Sequence, residues 1–250
     1  MGTYSSVTRS GATEPFDLQV ARGQIAGHTA IFRSAYSNAV VSSGARAIWP
    51  RASTYTFPAS ASTMTLSSSN TGDTTQQVLI SGLDSTYAVI TEVLTLNGQT
   101  AVTSTKSYLR INDMTVVSGA PAGSIYFGTG TVTTGVPANV YGFIAAGENK
   151  SAVGVYTVPA GNTLYITGGS AGTSGLAAAQ FMTVNFHAVI GGVDYTTAKI
   201  FAGSGFQFYP YNPPIAAPEK SDLYDTVLNS ATGPDSMAVN FSGYLVKNAD

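Results

Sequence analysis

The chain has no cysteine in its 250 residues. That removes a disulfide framework, thiolate metal sites and a cysteine nucleophile from consideration. Charge is nearly as scarce. Eleven Lys and Arg and thirteen Asp and Glu amount to 10% of the chain, against about 25% in ordinary soluble domains. A folded chain of this mass exposes on the order of 10,000 Å². Hydroxyls, amides and glycine must therefore coat most of the surface, and a sparsely charged surface near neutrality favours association. Burial of much surface in an oligomer or lattice fits this composition, as does a monomer solvated by Ser, Thr and Asn.

Histidine is limited to His28 and His187, which leaves acid–base catalysis and metal binding poorly supplied. No apolar run approaches the ~18 residues of a membrane-spanning helix, and Met1–Thr13 is polar, without the apolar segment of a secretory signal. A soluble protein that neither enters a membrane nor is exported by such a signal is expected. The five arginines Arg9, Arg22, Arg33, Arg46 and Arg51 face only Glu14 and Asp17 within residues 1–51, a net +3 that leaves −5 on the remainder. They are too scattered to track a phosphate backbone, so nucleic acid is not an expected partner.

What the chain does contain is strand signal. From about residue 53 onward, runs of five to ten residues alternate in polarity and are punctuated by Gly, Pro and Asn. Asn97-Gly98 predicts a two-residue hairpin between Ala88–Leu96 and Gln99–Val102, and Gly191-Gly192 predicts another between Gln180–Ile190 and Val193–Phe201. In the latter, Met182, Val184, Phe186, Ala188 and Ile190 alternate with Thr183, Asn185 and His187, which places the first set in a core and His187 on the opposite face. Met237, Val239, Phe241 and Leu245 read the same way. Val158-Pro159-Ala160-Gly161 predicts a turn between Ala152–Thr157 and Thr163–Thr167. Helical periodicity is confined to Leu176–Gln180 and a turn near Phe16–Ala26. The expected fold is all-β: an extended N-terminal arm (1–51), a first β-sandwich (52–145) and a second, jelly-roll-like β-sandwich (146–250), with Ala145-Ala146-Gly147 as the linker. Within the arm, Phe16–Gly23 reads either as a strand added to a neighbour's sheet edge or as a strand of its own domain.

Catalytic patterns are sparse. Gly168-Gly169-Ser170-Ala171-Gly172 matches G-x-S-x-G, but a nucleophile elbow needs a following helix, then an acid and a histidine. No acid lies between Ser170 and His187, so a Gly/Ser loop is expected. Glu92 with Glu148, or Asp222 with Asp225, are the carboxylate pairs a glycosidase would draw on; their spacing demands no such role. Glu219, Asp222 and Asp225 lack an EF-hand pattern. No cofactor, metal or catalytic residue is therefore expected. The densest aromatic patch, Phe206–Tyr211 followed by Asn212-Pro213-Pro214, offers rings for a glycan or a protein, or packs on its own sandwich.

Three stretches, Phe16–His28 (FDLQVARGQIAGH), Ser81–Val102 (SGLDSTYAVITEVLTLNGQTAV) and Val153–Thr167 (VGVYTVPAGNTLYIT), together resemble β-rich virion structural proteins of tailed phages of aquatic bacteria, cyanophages among them. The resemblance covers most of the chain and rests on structural motifs. It implies a role as head decoration (cement) protein, or as a fibre or neck component. A cement protein would be made in the bacterial host cytoplasm and seat on the exterior of the phage head. It would tie subunits of the major capsid protein together as a homo-oligomer, expected to be a trimer, gaining affinity by multivalency. The assignment of residues is not carried by a family motif: Phe16, Leu18, Val20, Arg22 and Arg33 are the expected capsid contacts, and Phe206, Phe208, Tyr209 and Tyr211 the expected oligomer or surface-binding patch. The alternative roles are a tail-fibre, neck or receptor-binding protein that uses the aromatic segment on host glycan, and, as an enzyme, a polysaccharide depolymerase.

Overall fold

A computed structural model describes residues 8–9, 12–40, 46–174, 176, 179–229 and 235–249. Its elements are β1 (Thr8–Arg9), β2 (Ala12–Thr13), α1 (Phe16–Ala21), β3 (His28–Val40), β4 (Arg46–Ala47), β5 (Ser62–Ser68), β6 (Gln77–Leu83), β7 (Val89–Thr95), β8 (Val102–Tyr108), β9 (Arg110–Ser118), β10 (Ile125–Thr133), β11 (Val136–Ile144), β12 (Val155–Thr157), β13 (Asn162–Ser174), β14 (Met182–Ile190), β15 (Val193–Ala202), β16 (Gly205–Ala217), β17 (Asp222–Asn229) and β18 (Asp235–Lys247). Every strand pairing is antiparallel.

Two pairs of sheets result. Sheets β11-β10-β5-β8 and β7-β6-β9 enclose a core of Met64, Leu66, Val78, Ile80, Met114, Ile125 and Phe127. Sheets β16-β13-β18-β3 and β12-β17-β14-β15, with β4 also paired to β17, enclose the second, around Val184, Phe186, Val227, Val239 and Phe241. The period-two reading of β14 holds: Met182, Val184, Phe186 and Ala188 are buried while Thr183, Asn185 and His187 face away. Its hairpin is formed as expected, with Ile190 paired to Val193 and both Gly191 and Gly192 at positive φ.

The structure corrects several expectations. Residues 28–40 and 46–47 are not an arm. β3 pairs with β18 from Val246↔His28 to Asp235↔Val40, and β4 pairs with β17, so the second sandwich begins before the first and closes after it. The reason is edge satisfaction: β18 has β13 on one side only, and β3 supplies the missing ladder. Phe16–Ala21 is a helix, in line with the helical signal near Phe16–Ala26 and against the strand reading of Phe16–Gly23. Asn97-Gly98 does not close a hairpin of paired strands, because β7 lies in one sheet and β8 in the other. Gly98, at φ 59°, is pinned instead by the 68–73 loop: its N–H donates to Asp73 O and its carbonyl accepts from Ser68 N. A Cβ there would meet Thr71 O at 2.5 Å. The Gly168–Gly172 segment lies inside β13 rather than in a loop. The helical turn expected at 176–180 falls partly outside the described residues.

The two sandwiches are joined by a dense seam. Trp49, Tyr55, Val140, Phe143 and Val155 form an aromatic cluster between them, with the Trp49 and Tyr55 rings edge-to-face at 5.2 Å. Asn112 on β9 holds both backbone groups of Thr157 on β12, donating from Nδ2 at 2.9 Å and accepting at Oδ1 at 2.8 Å. Beside it, Arg110 of the first sandwich pairs in bidentate fashion with Asp222 of the second, Nε–Oδ1 2.7 Å and Nη2–Oδ2 2.8 Å.

Candidate assembly face

The outer surface of sheet β16-β13-β18-β3 follows directly from strand register. Ala171, Val239 and Ala35 are aligned across three strands and point into the core. Their neighbours point out, in three rows: Pro210, Gly168, Ser242 and Phe32; Phe208, Ser170, Asn240 and Ser34; Phe206, Gly172, Ala238 and Tyr36. None of these twelve residues is charged.

The rows have relief. Phe206 and Phe208 are 70% and 62% exposed on the outer strand β16, and Phe32 is 62% exposed on the opposite outer strand β3. Glycine on β13 lets the β16 rings lean over it: a Cβ at Gly168 would stand 3.3 Å from Phe208 Cζ, and one at Gly172 3.5 Å from Phe206 Cδ2. Between Phe206 and Tyr36 runs an open trough of 530 Å³ floored by Gly172 and Ala238. The Ser170 hydroxyl, buried beneath this surface, donates to Asn240 Oδ1 at 2.6 Å.

Charge returns only at the rim. Tyr244 donates to Asp17 of α1, Arg22 pairs with Glu14, and Tyr36 bonds Glu148. Burial and the Glu148 carboxylate push the Tyr36 hydroxyl up to about 12.

The residues singled out from sequence distribute unevenly. Phe206 and Phe208 belong to the face. Alternation turns Tyr209 and Tyr211 inward, where Tyr209 packs on the second core and the Tyr211 hydroxyl is buried without a hydrogen-bond partner. Burial, then the nearby Asp225, push that hydroxyl up to about 12. On α1, Phe16 and Leu18 are exposed while Val20 is buried, and Phe16 sets its ring edge-on to Tyr244 at 5.3 Å. Arg33 points inward from β3 to the first sandwich, 3.4 Å from Asp113 Oδ2 and over the Tyr156 ring. It ties the two sandwiches rather than projecting to a partner.

An arm over residues 1–51 leaves Phe32 out of account; the alternation of Ile31, Arg33 and Ala35 with Phe32, Ser34 and Tyr36 carries the signal. On the outer side of the other sheet, His187 stacks on Tyr224 at 4.4 Å, its Nδ1 3.2 Å from Asp194 Oδ1 and its Nε2 3.1 Å from Thr226 Oγ1. Of the four carboxylates considered for glycosidase chemistry, Glu92 accepts from Thr105 and Lys106 on β8, Glu148 bonds Tyr36, Asp222 is held by Arg110, and Asp225 is buried. Among the described residues no three His, Asp or Glu side chains gather as a metal site, and no helix is long and apolar enough to cross a membrane.

No protein-family model and no curated protein matches the chain. Among solved structures, it is similar to the VP2 subviral particle protein of infectious bursal disease virus at 11% identity and a TM-score of 0.25, over 88% of this chain and 72% of that one. The Gt strain of the same virus gives 11% identity and a TM-score of 0.20, over 94% and 83%. TM-scores this low assign no fold by likeness.

Proposed function

We propose that this chain is a structural subunit of a virion, a decoration protein of a tailed phage that seats on the major capsid lattice and stabilises it. The observation that carries the reading is the uncharged outer face of β16-β13-β18-β3. Exposed rings in one contiguous patch on a soluble fold mark a surface that another protein covers. The exposed rings there are mainly phenylalanine, which lacks the hydroxyl that would bond a glycan, so protein contact is favoured over the receptor-binding alternative. The exposed residues of α1, Leu18 and Arg22 one turn apart and Phe16 toward Tyr244, are the second surface, which we assign to the lattice.

Co-sedimentation with expanded capsids that lack the chain tests the assignment. The wild type is expected to pellet with the capsids, and Phe16→Ser with Leu18→Asp to reduce the bound fraction at least tenfold, because two exposed anchors in a repeated contact are lost on every copy. Wild-type protein left in the supernatant at all ratios contradicts the capsid reading. Retention on a glycan array, in turn, moves the role to the host surface.

A further inference from the structure

We infer that the outer face of β16-β13-β18-β3 is a twofold interface on which a second copy of this chain packs, sheet against sheet. The inference rests on reading that face as an assembly surface and names what covers it.

The face has the layout of a protein–protein contact: a centre without charge, aromatic anchors, and a charged rim. Its centre is the three uncharged rows; its rim holds Asp17, Glu14 and Arg22 at the α1 end and Glu148 on the β3 side. A face without its own field meets an identical face with no like-charge penalty, whereas a heterologous partner gains nothing from it by electrostatic steering.

The relief fits itself in the middle row. A twofold axis running along the strands sets β16 of each copy over β3 of the other, so each cross-strand row meets itself reversed. Phe208 then faces Ser34, large against small, while Phe206 meets Tyr36 ring on ring at the ends of the row whose middle is Gly172 and Ala238. Pro210 meets Phe32. Sheets stacked this way keep their strand directions within about 30°, and an isologous contact closes after two copies.

Size agrees. Ten residues of β13, Tyr165 to Ser174, lie in the sheet clear of the first turn of strand. At ~3.3 Å per residue and ~4.8 Å between strands, four strands present roughly 600 Å² in projection. Side-chain corrugation adds to this, which brings it to the order of the ~800 Å² per partner of a standard interface. On the other outer strand of the second sandwich, β15, the exposed residues include the charged Asp194 and Lys199.

The test is sedimentation equilibrium of the full chain from 1 to 100 µM, for the wild type, Phe208→Asp and Ser34→Lys, with circular dichroism and a thermal melt on each. Ser34 is an exposed small residue whose replacement leaves the core untouched, so it decides the matter where Phe208→Asp fails to fold. The wild type is expected to be dimeric, and each folded variant to raise the dimer Kd at least 100-fold, because it places an unpaired charge where Phe208 of one copy covers Ser34 of the other. Leu18→Asp on α1 is expected to leave the dimer intact. A monomeric or trimeric wild type, or a dimer indifferent to Ser34→Lys, overturns the inference. A monomer that still pellets with capsids sinks the dimer and leaves the decoration role standing. A dimer that never binds capsids does the reverse.

Discussion

Asp222→Ala is expected to lower the unfolding free energy by about 3–5 kcal/mol, the range for breaking one half of a buried ion pair. Arg110 and Asp222 are each 11% exposed and paired through two bonds. The carboxylate also accepts from Thr157 Oγ1 at 2.6 Å, while Arg110 Nη1 donates to Pro58 O and Leu109 O and the guanidinium lies 5.0 Å from the Phe57 ring. Removal of the acid strands a guanidinium, which cannot shed its proton, in a seam closed by Tyr55 and Phe57. Arg110→Met combined with Asp222→Ala should recover much of the loss, since the cost lies in the orphaned charge more than in the absent pair. Urea titration of the four members of this double-mutant cycle measures the coupling. Additive losses, with a coupling below about 0.5 kcal/mol, would show that the seam is held by its aromatic cluster alone.

The second large effect concerns pH. Asp225 sits in the core of the second sandwich, 5% exposed, on the inward face of β17 between Leu223 and Val227. Burial pushes its carboxyl up to about 8. Tyr211, whose hydroxyl is buried without a partner, is the titratable group that feels it. The folded state therefore holds a proton that the unfolded chain releases near the ordinary Asp value of about 3.9. Between those two pKa values the native state binds more protons, so stability is fully present below pH 4 as far as this group is concerned. It falls by up to about 1.4 kcal/mol per pH unit as pH rises, and levels off above pH 8. Asp225→Asn, which is neutral throughout, should flatten this slope and raise the melting temperature at pH 8 more than at pH 5. Parallel wild-type and variant stability–pH curves would place the charge elsewhere.

How much of this was legible in the sequence depended on whether the signal was local. The β14–β15 hairpin was readable because Gly191-Gly192 and the alternation of Met182 to Ile190 both specify it over adjacent residues. Strand β3 was not, since the edge that needs it, β18, is some two hundred residues downstream, and a strand with one partner and one solvated face looks like polar arm. Asn97-Gly98 misled for the opposite reason: the turn chemistry is right, but tertiary anchoring on Ser68 and Asp73 sends the two strands into different sheets.

The candidate face was half legible. Phe206 and Phe208 stood out as rings; period two, applied to the same segment, would have turned Tyr209 and Tyr211 inward. The small residues that make the floor, Gly168, Ser170, Gly172 and Ala238, gave no sign of belonging together, because only cross-strand register assembles them. The same glycines read locally as a loop, and G-x-S-x-G as a motif, when they are the places where aromatic side chains cross a strand.

The central claim, that this fold is a virion structural subunit, is tested most directly by antibody-gold labelling of washed virus particles released from cells that make the chain, with mass spectrometry of the same particles. The account predicts label distributed over the head and the chain present in many copies per particle. Particles that carry neither label nor peptide would contradict it.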